Sequence, residues 1–65
     1  MARFELWDAD EQPAVVVDKN VDLGAFAVLN DLEPEVLNRI GALPVGGSIP
    51  FGGGAAPLFT LWRVE

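Results

Sequence analysis

The chain contains no cysteine, no histidine and no tyrosine, and it carries a single serine, Ser48, a single threonine, Thr60, and a single lysine, Lys19. Each absence removes a class of chemistry. Without cysteine there can be no disulfide and no thiolate metal site. Without histidine the commonest ligand of zinc is missing, and neither a Ser-His nor a Cys-His pair can be assembled within one chain. General acid–base work would fall to carboxylates alone. An enzyme is therefore not expected, and neither a metal nor any other cofactor is called for.

Positive charge is also scarce. Arg3, Lys19, Arg39 and Arg63 stand against ten carboxylates, for a net charge of −6. Such a surface repels nucleic-acid phosphates and anionic lipids, so neither direct nucleic-acid binding nor a membrane partner is expected. No stretch approaches the roughly 20 apolar residues of a membrane-spanning helix. Glu5, Asp8 and Asp10 interrupt the start, and no uniform apolar segment of a secretory signal follows. A cytoplasmic location is the default expectation.

What is present points to one small globular domain over residues 1–65. Its hydrophobic fraction of 51% exceeds what disordered chains carry. At this length a single core only just offsets the entropy of ordering the chain, and disulfides and metals are not available to help. Good packing or self-association must then do so.

The C-terminal third, Pro44 to Val64, holds five of the seven glycines and three of the five prolines. It reads as a glycine-rich hairpin whose second strand, Leu58 to Val64, sits at the centre of a sheet. A partner strand at Gly46 to Phe51 is confined to an edge by Pro50, which cannot donate to a central ladder. At the other end Ala2 to Asp8 alternates, with Ala2, Phe4 and Leu6 opposed to Arg3, Glu5 and Trp7, the period of a strand with one covered face. The polar run Asp8 to Pro13 is a turn, and Ala14 to Val17 is a second, β-branched strand folded back on the first.

Between the hairpins the period changes to that of helices. Val21, Ala25, Val28, Leu29 and Leu32 share one side of a first helix, with Phe26 beside them. Asp18 or Asn20 would serve as its cap and Asp22 would lie in its first turn. Pro34 suits the first position of a second helix, in which Val36, Leu37, Ile40 and Leu43 form the buried stripe. Glu35 and Arg39 make an exposed i,i+4 pair, and Gly41 and Pro44 end the helix. The predicted architecture is α+β and two-layered: a four-stranded antiparallel sheet from the order β-β-α-α-β-β, strand order 2-1-4-3, with two helices on one face.

Short motifs do not supply an activity. Gly47 and Gly52 have the spacing of a P-loop, but Gly53 and Gly54 occupy the Lys and Ser/Thr positions that would hold phosphate and magnesium. Asp8, Asp10 and Glu11 begin like a calcium loop, yet Pro13 and Lys19 stand where its glycine and last glutamate belong. The helix-break-helix and hairpin have the outline of a winged helix-turn-helix. The would-be recognition helix, however, sets Asn38 and Arg39 against Glu33 and Glu35.

The last strand is apolar on both faces. If Phe59 and Leu61 cover the helices, then Leu58, Trp62 and Val64 lie outside with Trp7 of the adjacent strand, and a two-layer domain has nothing of its own to cover them. The opposite register would instead put Trp62 in the core. The first arrangement predicts a non-enzymatic interaction module that forms a homodimer or docks on another protein through Trp7, Leu58, Trp62 and Val64. The alternative function is an acidic inhibitor that imitates nucleic acid and occupies the basic groove of a DNA- or RNA-handling protein, using Asp18, Asp22, Asp31, Glu33 and Glu35.

Overall fold

Two hairpins are joined through the first and last strands of the chain, with a helical layer over one face. The computed structural model describes all residues, Met1–Glu65. Its elements are β1 (Phe4–Asp8), β2 (Val15–Asp18), α1 (Leu23–Leu29), α2 (Pro34–Gly41), β3 (Ser48–Gly53) and β4 (Ala56–Arg63). The sheet order is β2-β1-β4-β3 and every neighbouring pair is antiparallel, as the sequence pattern predicts.

Register decides which side chains meet the helices. In the central pair Phe4 faces Arg63, Leu6 faces Leu61 and Asp8 faces Phe59; on the other side of the sheet Glu5 faces Trp62 and Trp7 faces Thr60. Phe4, Leu61 and Ile40 of α2 are the buried core, with Ile40 and Leu61 fully enclosed. Leu6, Phe26, Leu37, Leu43, Ile49 and Phe51 pack around them. Phe26 of α1 meets Phe51 edge-on, with ring centroids 5.4 Å apart. Burying these side chains is the main stabilising term, at about 25 cal/mol per Å² of apolar surface.

The second helix follows its sequence closely. Pro34 is in its first turn, where the missing N–H has no intrahelical partner to lose. Ile40 is buried while Val36, Leu37 and Leu43 are half-buried. The Glu35–Arg39 pair does not form: the only ion pairs join Arg3 to Glu5 and to Glu65. Both Glu35 and Arg39 are exposed, and the weak attraction of such charges does not fix two long side chains in one geometry.

The first helix is shorter than the apolar pattern suggests. Its cap is Asp22, whose carboxylate accepts the Ala25 N–H at 3.2 Å; Asp18 and Asn20 lie before it. It ends in a Schellman turn. Asp31 adopts φ 50°, the Leu32 N–H donates to the Ala27 carbonyl at 3.0 Å, and the Asp31 N–H donates to the Val28 carbonyl at 3.3 Å. Leu32 therefore returns to the core after the helix rather than within it. Val28 and Leu29, expected on the buried side, are 82% and 84% exposed. A seven-residue helix makes only about two turns, too few for one continuous stripe to face the sheet.

The strand ends also move by a few residues. β1 starts at Phe4 rather than Ala2, β2 is shifted one residue on, β3 starts at Ser48 rather than Gly46, and β4 starts at Ala56 rather than Leu58. The last two follow from the turn. Gly54 and Ala55 form a two-residue connection, with φ 60° at Gly54, and Gly53 pairs with Ala56, so the ladder runs almost to the tip. Gly46 and Gly47 instead tie the incoming loop to β4: the Gly46 N–H donates to the Arg63 carbonyl and the Arg63 N–H to the Gly47 carbonyl. The Arg63 guanidinium also donates to the Leu43 carbonyl at 2.7 Å, closing the end of α2 onto the sheet.

Candidate interaction surface

No helix covers the other side of the sheet. Alternation from the central register places Trp7, Thr60 and Trp62 there, and Val16, which faces Trp7, joins them from β2. Val17 is the extra residue of a bulge, since Leu6 faces Asp18 while Trp7 faces Val16. The result is a shallow, open depression lined by Glu5, Trp7, Ala9, Ala14, Thr60, Trp62 and Val64. Trp62 is 36% exposed and Trp7 is half-buried.

The polar groups of this face are occupied with one another. Glu5 is central, because residues two apart on a strand point the same way and Arg3, Glu5 and Trp7 therefore form one row. The Trp7 indole N–H donates to Glu5 Oε1 at 3.1 Å, and the Arg3 guanidinium donates to Glu5 Oε2 at 3.0 Å. Arg3 also donates to Glu65 Oε1 at 3.2 Å and to the Lys19 carbonyl at 2.8 Å. These bonds hold the Arg3 guanidinium above its ordinary pKa, the one to Glu5 most strongly and then that to Glu65. What the face offers a partner is therefore mainly apolar and aromatic.

Of the residues singled out from sequence, Trp7, Trp62 and Val64 line the same depression. Leu58 does not. It is half-buried farther along β4, toward the glycine turn, where its N–H donates to Asp10 Oδ2 at 2.8 Å and its carbonyl accepts the Ala9 N–H. The sequence pattern does not by itself mark Glu5, Ala9, Ala14 or Thr60 as contact residues, though they line the depression too. The spacing of Arg3, Glu5 and Trp7 was the signal for Glu5; the alanines carry none, since they matter only by being too small to cover the tryptophans.

A second depression opens on the helical side, between α1 and the sheet, with Phe26, Phe51 and Phe59 in its lining. It exists because α1 is short. No helix of the protein is long and apolar enough to cross a membrane. No protein-family model, curated protein or solved structure matches the chain.

Proposed function

We propose that the protein is a non-catalytic interaction module that self-associates or docks on a protein partner through the uncovered sheet face, with Trp7, Trp62 and Val64 at the contact and Leu58 at its margin. The observation that carries this reading is the pair of tryptophans on that face, beside a carboxylate already held by Arg3 and by the Trp7 indole. A partner covering the patch removes apolar surface from water without stripping an unpaired charge of its solvent. Tryptophan is also enriched among the residues that dominate binding energy. Two such sheets packed face to face would form a sandwich.

Sedimentation equilibrium from micromolar to millimolar protein tests the self-associating form, and Trp62→Ala tests the surface. Concentration-dependent mass that Trp62→Ala abolishes, with the folded spectrum retained, supports the reading. A protein monomeric throughout leaves only a different protein partner, which Trp62→Ala must then fail to bind.

A second reading, mimicry of nucleic acid by an acidic inhibitor, is favoured by the state of Asp18, Asp22, Asp31, Glu33 and Glu35. All are exposed and none is in an ion pair. Binding of that kind weakens steeply with salt. Neutralising Asp31, Glu33 and Glu35 together without loss of binding to a basic partner would eliminate it.

A further inference from the structure

The groove between α1 and the sheet differs in chemistry from the opposite face. Its volume is about 300 Å³, at the lower end of the range for ligand pockets, and it is open to one side. The floor is apolar, with Phe26, Phe59 and Leu29 among its lining, and Leu29 is left 84% exposed. Two carboxylates, Asp18 and Asp22, stand at the end where β2 passes into α1, and no basic residue lines the groove. In each carboxylate one oxygen is engaged: Asp18 Oδ1 accepts the Asn20 N–H at 2.9 Å, and Asp22 Oδ1 accepts the Ala25 N–H at 3.2 Å. Neither makes an ion pair, which leaves the second oxygen of each to accept from outside.

We propose that this groove takes a basic amphipathic helix of a partner protein, apolar side chains seated against Phe26, Leu29 and Phe59 and a lysine or arginine reaching Asp18 and Asp22. Charge complementarity selects a cationic occupant over a neutral or acidic one. Besides Phe26 and Leu29 of α1, the groove is lined by Leu6, Phe51 and Phe59, which reach it from the face of the sheet rather than from its outer edges, so an extended peptide lying there would find no ladder to join. A helix satisfies its own backbone and needs only a groove. From Asp22 to Leu29 the rise of α1 is about 10 Å, or two helical turns. An occupant lying along α1 therefore places its cation about seven residues from its first apolar anchor, with a second anchor between them.

The test is a titration of isotope-labelled protein with a synthetic helix of leucines at three- and four-residue spacing and lysine two turns on, followed by amide chemical shifts. A matched peptide carrying glutamate for lysine is the control. Asp18→Asn and Asp22→Asn together remove both charges while keeping a side-chain oxygen for the turn and the cap. Glu33→Gln with Glu35→Gln removes the same charge from the start of α2 and the residue before it. The expected result is shifts centred on Phe26, Leu29 and Phe59, and binding weakened about fivefold by the aspartate pair but not by the glutamate pair. The proposal is overturned by equal weakening from both pairs, by no weakening from the aspartate pair, by equal binding of the glutamate peptide, by shifts centred on Trp7 and Trp62, or by no binding at millimolar peptide. Self-association through the tryptophan face is read separately, by sedimentation of the protein without peptide.

Discussion

The Trp7 indole N–H donates to Glu5 Oε1 across 3.1 Å, two residues back along the same strand and on the side of the sheet that no helix covers. This bond fixes the ring edge toward Glu5. Replacing Glu5 with glutamine keeps an acceptor for the indole, whereas alanine removes it. Glu5→Gln should leave the indole proton resonance near its original position. Glu5→Ala should move it upfield and lower stability by about 1 kcal/mol. The same resonance in the two variants would show a ring held by packing alone.

Ile40 and Leu61 are the fully enclosed side chains, one from each layer. Ile40→Ala leaves a void that neither the sheet nor α2 can collapse into, and should cost about 2–5 kcal/mol. Leu37 lies on the same stripe but is only half-buried, so Leu37→Ala should cost measurably less. Urea denaturation of the two variants orders them. Equal midpoints would mean that α2 sits differently on the sheet.

Gly52 and Gly54 both have positive φ, 84° and 60°, but their surroundings differ. A Cβ on Gly52 would stand 2.0 Å from the Pro57 carbonyl oxygen, whereas one on Gly54 meets nothing within 4 Å. Gly54→Ala should cost about 1–2 kcal/mol, the strain of left-handed backbone alone. Gly52→Ala adds a clash with backbone that must move, for a total of about 3 kcal/mol or more. Thermal melts should rank Gly52→Ala well below Gly54→Ala.

Trp62 is 36% exposed on the open face, whereas Ile40 and Leu61 are fully enclosed. Trp62→Ala should retain the folded spectrum and weaken assembly at least tenfold, as loss of a binding hot spot does. Concentration-dependent sedimentation reads the assembly, and amide dispersion reads the fold. An unfolded Trp62→Ala chain would place Trp62 among the stabilising residues rather than the contact residues.

Much of this architecture is legible before any coordinates. The alternation of Phe4 and Leu6 with Glu5 and Trp7, the placement of Pro34, and the glycines around the last turn each act through local sterics or period, over a few residues. They suffice for the six elements and, with the edge restriction of Pro50, for the strand order. The fate of β4 was not legible in this way. Phe59 and Leu61 compete with Leu58, Thr60, Trp62 and Val64 for the covered side, and both sets are largely apolar, so hydropathy alone does not choose between them. The β1–β4 register does, by setting Leu61 opposite Leu6 and beneath Ile40, which leaves Trp62 beside Glu5 on the open face. The end of α1 is decided in the same way. Val28 and Leu29 continue the helical pattern, but Asp31 turns left-handed and Leu32 is drawn back into the core, which strands both residues at the surface, with Leu29 at the groove. Period and propensity act between near neighbours in the chain; which apolar face is covered depends on the limited area of one short helical layer, and that is set only when the sheet and helices meet.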